Sequence, residues 1–361
     1  MKPWLIVLLA AVFFGFFALS SSILLDTLVV SDETLFLTEQ ARSISQLDNG
    51  RATASFLAYP LLPFLGFLLF PNPIIFSASL GAILATVVIL LSRQKDASPL
   101  FQIFLVCAVL FSPAFLFVLV QEPVHLIFGV LLLSAAFFLL RYRETSSIQN
   151  CFLLGLCLGT AVFCRCESWW VAPLFVLILV LFFRGDEKGE LSSLLLVTFF
   201  PLIFFSGVLF FINWVFTGSA LSFLRDSPYS SYAVLGSPFV LPEPHLFFPW
   251  LHSSWPSLLP FVMLFFHDRL RTVFAAGFLF ISYWSAGGIH LQASSVFLVL
   301  ALPFLFPIHT GKFFRTVFLV IFICGSVLSW WQVTGTDSPL DMGQVTYERV
   351  HSTVDQSKIT P

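Results

Sequence analysis

The chain has 361 residues, 58% hydrophobic and 10% charged, with a net charge of −2 and a mean hydropathy of +0.97. A water-soluble domain carries roughly 25% charged residues, so this chain has too little polar surface to cover a globule of its size. A soluble enzyme and a disordered segment are excluded, and the slightly acidic balance offers no basic field for nucleic acid.

The composition predicts an all-α, polytopic membrane protein. Aromatic residues make up 17%, with 47 Phe against 6 Tyr, which suits helices facing lipid rather than a stacking platform. A span needs about 20 mostly apolar residues. In chain order the apolar runs are 4–24, 74–92, 100–119, 124–140, 150–164, 169–183, 191–213, 246–266, 272–286, 289–308 and 313–333. The first run follows Met1-Lys2 and continues through Ile23-Leu24-Leu25, longer than the core of a cleaved signal peptide, so it reads as an uncleaved anchor. Segment 54–71 is also apolar but holds Pro60 and Pro63 and is followed by Pro71-Asn72-Pro73.

Charge decides how that segment is counted. Lys and Arg favour cytoplasmic loops. Placing Lys2, Arg93, Lys95, Arg141, Arg143, Arg184, Lys188, Arg269, Arg271, Lys312 and Arg315 inside accounts for 11 of 17 basic residues and leaves 13 of 19 acidic residues outside. This holds only if residues 54–92 cross once, so 54–71 reads as a re-entrant or interface-lying helix. The expectation is therefore eleven spans, a cytoplasmic N-terminus, a membrane domain over 1–333 and an outer tail over 334–361. No internal repeat is apparent. Five of the six cysteines lie in apolar runs and Cys166 follows one, without CxxC spacing, so they read as buried thiols packing as small hydrophobes.

Polar residues on the expected outer face are few. The first loop reads Ser31-Asp32-Glu33-Thr34-Leu35-Phe36-Leu37-Thr38-Glu39-Gln40-Ala41-Arg42. Ser31 or Asp32 can cap a helix by accepting the orphan N–H groups of its first turn. The mixture that follows, Leu35, Leu37, Ala41 and Ile44 among polar positions, fits a helix lying along the interface. Glu122 is the lone charge between two long apolar runs, and a carboxylate near hydrocarbon is costly enough to be a functional candidate. Arg165 and Glu167 mark another short outer turn, beside Trp169 and Trp170, which suit an interfacial aromatic belt. An Arg165–Glu167 or Glu122–Arg165 pair is the structural alternative. The long segment 214–245, with Arg225, Asp226, Tyr229 and Tyr232, fits either a substrate-binding loop or a connector. His252, His290 and Gln292 read as hydrogen-bonded packing residues. No His/Cys set has zinc spacing.

These pieces, in this order, resemble the GT-C superfamily of polyprenyl-phosphate-dependent glycosyltransferases, in the branch of protein O-mannosyltransferases and bacterial aminoarabinose transferases. Asp32-Glu33-Thr34 with Glu39-Gln40-Ala41-Arg42 is similar to that branch's Asp-Glu motif and the helix after its first span. Ala58-Tyr59-Pro60-Leu61-Leu62-Pro63 is similar to its Tyr-Pro-Pro-Leu segment, with Leu61 in place of the second proline. Gln121-Glu122-Pro123 falls at its second outer acidic site. Gly155-Leu156-Cys157-Leu158-Gly159 through Arg165-Cys166-Glu167 resembles its "Gly-Leu…Gly-Leu…Thr-Arg-Pro-Glu" helix end, with Cys166 for the proline. A weaker echo is Asn213 to Gly218. The resemblance covers about residues 1–220, a catalytic-type module, and leaves 246–333 as variable spans.

The resemblance implies transfer of a sugar from a polyprenyl-phosphate donor to an acceptor at the outer face. Asp32 is then the general base, with Glu33 beside it. Arg165 and Arg225 bind the donor phosphate, a role that suits guanidinium because its donors match phosphate oxygens. Glu122, Glu167 and Tyr59 position the acceptor, or the acids hold a divalent cation; the sequence leaves both open. Membrane lipids are the expected surroundings, and a compact chain without a glycosylation sequon suggests a bacterial inner membrane. The alternative is a multi-span transporter or lipid flippase using the same acids as binding sites.

Overall fold

The computed structural model describes residues 3–27, 34, 37, 38, 41, 61–92, 106–121, 123–165, 168–181, 188–221, 247–262, 269–285, 298–299 and 312–335. Among them the regular structure is α-helix, without a strand. The helices are α1 (Pro3–Thr27), α2 (Leu61–Leu69), α3 (Pro73–Ser92), α4 (Pro113–Gln121), α5 (Pro123–Thr145), α6 (Ile148–Val162), α7 (Ser168–Leu181), α8 (Lys188–Thr217), α9 (Phe247–Val262), α10 (Arg269–Ser285) and α11 (Lys312–Gly335).

Two helical segments, Pro123–Thr145 and Leu191–Val215, are long and apolar enough to cross a membrane as single rods. Shorter apolar stretches, among them Ala10–Ile23, Ile148–Val162 and Thr316–Leu328, accompany them. The all-helical, apolar character expected of a membrane protein is present.

The two long rods play different parts. The apolar window of α5 is 67% buried, whereas that of α8 is 22% buried. Helix α5 is therefore central, and α8 is peripheral, exposing Leu196, Phe200, Ile203, Phe204, Phe211 and Trp214 at helical spacing. In water such a stripe would be untenable; against lipid tails it costs nothing.

Helix α1 packs along α3, and Gly81 makes room for it: a Cβ there would stand 2.6 Å from the Phe17 ring. Phe17 in turn meets Phe115 of α4 at 5.9 Å between centroids. Helices α2 and α3 form a bent pair, turning through 116° at Pro71-Asn72-Pro73. Pro73 opens α3, where its missing N–H is no loss. The Asn72 side-chain oxygen accepts from the Ile74 N–H at 2.9 Å and the Ile75 N–H at 3.4 Å, capping that end. Phe67 lies on Phe76 at 4.1 Å across the bend. This geometry is that of a broken span or a re-entrant helix.

The apolar run 100–119 is not one rod in its described part. Residues 106–110 are helical, the chain turns at Phe111-Ser112, and α4 begins at Pro113. Ser112 repairs the break: its hydroxyl donates to the Val109 carbonyl at 2.8 Å and accepts from the Phe115 N–H at 3.3 Å. Pro113 has no N–H to serve that carbonyl itself.

Helices α5 and α6 form a hairpin through Ser146, whose φ is 51°. Arg141, Arg143 and Glu144 sit at this end, with an exposed Arg141–Glu144 pair at 4.0 Å and Arg141 over the Phe137 ring. Helix α6 then packs closely on α8. A Cβ at Gly155 would lie 2.1 Å from the Thr198 carbonyl oxygen, and one at Gly159 would lie 2.9 Å from that of Pro201. The Gly-x-x-x-Gly spacing thus brings two backbones together, as it does where small residues replace hydrophobic driving force in lipid.

The cysteine expectation holds in part. Cys151 and Cys164 are buried and Cys107 and Cys157 half-buried, all as free thiols, but Cys324 is exposed on α11. A thiol is apolar enough to face lipid there.

Candidate functional site at the helix ends

The end of the α5–α6 hairpin opposite Arg141 and Arg143 carries the polar contacts. From His125 to Arg143 is 18 residues, or roughly 27 Å at 1.5 Å per residue. Four stretches singled out in the sequence meet there through described neighbours.

Thr34, Leu37, Thr38 and Ala41 are helical, and all four are buried. Their spacing of three, one and three residues is one helical face. The expected interface-lying helix of the first loop therefore buries a face within the protein core instead of resting wholly on lipid. The Thr34 hydroxyl donates to the Gln121 carbonyl at 2.9 Å, and the Thr38 hydroxyl donates to the Thr34 carbonyl at 2.7 Å. The first loop is thus joined to the α4–α5 junction.

Arg165 closes the end of α6. Its N–H donates to the Ala161 carbonyl at 3.0 Å, and its own carbonyl accepts from the Ser168 N–H at 3.2 Å and the Ser168 hydroxyl at 2.7 Å. The backbone is therefore held on both sides of the turn into α7. From this turn the guanidinium reaches His125 on the first turn of α5, donating through Nη1 to the ring's Nε2, with Nδ1 at 3.3 Å. His125 is buried.

The fourth stretch arrives through α2. The Leu62 N–H donates to the Phe163 carbonyl at 3.0 Å, which ties the start of α2 to the α6 end two residues before Arg165. Trp169 is half-buried, its indole N–H donating to Ser206 on α8 at 3.1 Å and its ring 5.4 Å from Phe210. It acts as a packing bolt between α7 and α8.

Of the expected site residues, Arg165 lies within the described residues. Asp32, Glu33, Tyr59, Glu122, Glu167 and Arg225 lie outside them, as do His290, Gln292 and Trp170's side chain. The described partner of Arg165 is His125, which sequence reasoning did not assign. The available signal was a polar side chain within an apolar run, three residues after Glu122. Among the described residues no group of three or more His, Cys, Asp or Glu is placed to hold a metal ion. His252 is exposed on α9. Two clefts, one beside Ile148, Phe152 and Val197 and one beside Ser112, Ser257 and Ser326, are both away from Arg165. No family model, no curated protein and no solved structure matches this chain.

Proposed function

We propose that the chain is a membrane glycosyltransferase that moves a sugar from a polyprenyl-phosphate donor to an acceptor at the outer face. One observation carries the reading: the neighbours of four motif stretches converge at one end of the helices. Thr34 contacts Gln121, Arg165 contacts His125, and Leu62 contacts Phe163. These residues adjoin Asp32-Glu33, Glu122, Glu167 and Tyr59-Pro60 in the chain. A scaffold that gathers scattered polar stretches at a membrane boundary suits a reaction between a lipid phosphate and a water-side acceptor.

In this reading the acceptor hydroxyl oxygen attacks the sugar's anomeric carbon while Asp32 takes the hydroxyl proton. The bond from that carbon to the phosphate oxygen breaks, and the polyprenyl phosphate leaves with the electron pair. As a stable anion it needs little protonation. Arg165 and Arg225 neutralise its charge, while Glu33, Glu122, Glu167 and Tyr59 set the acceptor or a divalent cation. Eleven spans, a cytoplasmic N-terminus and a bacterial inner membrane complete the proposal.

The test is native mass spectrometry of gently purified protein, followed by addition of undecaprenyl phosphate. Retention of the polyprenyl phosphate or its sugar adduct, lost in Arg165→Ala, supports the reading. Bulk phospholipid alone counts against it. General-base catalysis contributes typically 10²–10⁴-fold, so Asp32→Asn loses about that much turnover while the protein still inserts; unchanged turnover removes Asp32 from the role.

A transporter or lipid flippase is the second reading, and the break at Phe111-Ser112 favours it. Discontinuous helices line substrate sites in many transporters. Counterflow of a lipid in sealed vesicles, without any glycosyl transfer, is the result that would select it.

A further inference from the structure

We propose that the small cavity at the break before α4 is a hydration site, which holds one water molecule shared between hydroxyls of three elements. It is independent of the glycosyl-donor reading. Ser112 comes from the turn before α4, Ser257 from α9 and Ser326 from α11, and all three line the same largely enclosed space beside Val299, Phe322 and Gly325. They are far apart in the chain, so tertiary packing brings them together and not the spacing of any one helix. The water-accessible space is about 10 Å³, at the lower limit for one water and too small for two. Ser112 stands nine residues before Gln121, roughly 14 Å along α4 at 1.5 Å per residue, and so lies well back from the α4–α5 junction.

The hydroxyls decide what the cavity takes. Elsewhere in the fold Thr86, Ser134 and Thr160 each donate to the carbonyl four residues earlier, at 2.8 Å. Bonding back to its own helix is the simplest way for a hydroxyl to sit among apolar residues. Ser257 is buried and Ser326 half-buried, yet among the described residues neither hydroxyl makes that bond or another. The Ser112 hydroxyl donates to Val109 and accepts from Phe115, which leaves its oxygen one lone pair. A water that donates to Ser112 and accepts from Ser257 and Ser326 gives each hydroxyl a partner. It also makes three hydrogen bonds, the usual number for a buried water.

A metal cation suits the site poorly. Among the described residues no charged side chain lines the cavity, so nothing would offset the loss of the ion's hydration. A water molecule suits the break itself. Where a helix is interrupted in lipid, serine side chains and ordered waters satisfy the polar groups that the helical ladder no longer serves. The same molecule then ties the start of α4 to α9 and α11.

X-ray radiolysis of the gently purified full chain tests the site directly, because hydroxyl radicals made from a bound water label the side chain beside it. Phe322 lines the cavity and is 2% exposed, whereas Phe318, about one turn earlier on α11, is 0% exposed and lies outside it. Phe322 should gain a hydroxyl group while Phe318 stays unmodified. Labelling of neither ring, or of both alike, overturns the proposal. Thermal unfolding supplies a second readout. Ser257→Ala and Ser326→Ala should each lower the midpoint by about 2 °C, the scale of one lost hydrogen bond in a larger domain. Because both act through one water, the double variant should fall by less than the sum. Ser254 is the control: it is buried outside the cavity, with its hydroxyl unpartnered among the described residues. Ser254→Ala should therefore leave the midpoint unchanged or raise it. Should Ser257→Ala and Ser326→Ala behave as Ser254→Ala does, or add strictly, no shared water joins them and the proposal falls.

Discussion

Gly155→Ala should separate α6 from α8, and the size of the effect follows from the contact. A Cβ at Gly155 would stand 2.1 Å from the Thr198 carbonyl oxygen, where ordinary contact begins at 3.4 Å. The helices must therefore part by about 1.3 Å along that line, and the obstructing atom is backbone, which has no rotamer to yield. Overpacking costs typically 1–3 kcal/mol, and the rigid neighbour puts this site near the upper figure. Gly207 is the internal control, because it lies in α8, the helix α6 packs on, with nothing within 4 Å of its notional Cβ. There the substitution gains up to about 1 kcal/mol of helix propensity without a clash. The same propensity gain applies at both sites and cancels, so the two alanine variants should differ by roughly 3 kcal/mol in unfolding free energy. Denaturant or thermal unfolding in nanodiscs of one lipid composition measures the gap. A Gly155→Ala protein as stable as Gly207→Ala would refute the claim that glycine sets the distance between these helices.

Three further outcomes test the scaffold. Thr34→Val removes the hydroxyl that donates to Gln121 at 2.9 Å; it should cost about 1 kcal/mol in unfolding experiments, and Thr34→Ser should restore most of that. Asn72→Ala removes the cap at the start of α3 and should cost about 1 kcal/mol, with Asn72→Asp close to the parent; thermal unfolding in nanodiscs distinguishes them. Trp169→Phe and Ser206→Ala break the same indole–hydroxyl bond, so their effects should be less than additive by about 0.6 kcal/mol in a double-mutant cycle, and strict additivity would show that the bond contributes nothing.

The parts of the fold that were legible were those written in long apolar runs with hard boundaries. The run 74–92 corresponds to Pro73–Ser92, and 191–213 falls inside Lys188–Thr217. Proline or charge ends each of them, and hydropathy needs no knowledge of neighbours. The turn at Phe111-Ser112 was not legible by the same route, because hydropathy averages over it; the Ser112-Pro113 pair was its only local mark. In the first loop the described positions Thr34, Leu37, Thr38 and Ala41 are helical, as expected, and their burial was not legible. The buried face includes Thr34 and Thr38, whose hydroxyls satisfy backbone carbonyls and so enter the core at little cost. Arg165 was singled out as a polar residue at a helix end, and its alternative pairings with Glu167 or Glu122 lie outside the described residues. Its contact with His125, 40 residues away in the chain, was not legible, because it requires knowing that α5 and α6 lie side by side.

The glycines of α6 connect packing to chemistry. Gly155 and Gly159 lie on the side of α6 that meets α8, and their close approach fixes how deep α6 sits against it. The far end of the same helix presents the Phe163 carbonyl to α2 and the Arg165 side chain to His125. A rigid helix transmits displacement along its length, so moving α6 outward at Gly155 also moves Arg165 relative to α5. Thr34 acts on a different junction, between the first loop and α4, and leaves α6 where it is. If the proposed donor reading holds, Gly155→Ala should therefore weaken polyprenyl-phosphate retention beyond what its loss of stability explains, whereas Gly207→Ala should not. Retention that follows stability alone across both variants would mean that α6 does not set the position of Arg165, and that the glycine pair serves packing only.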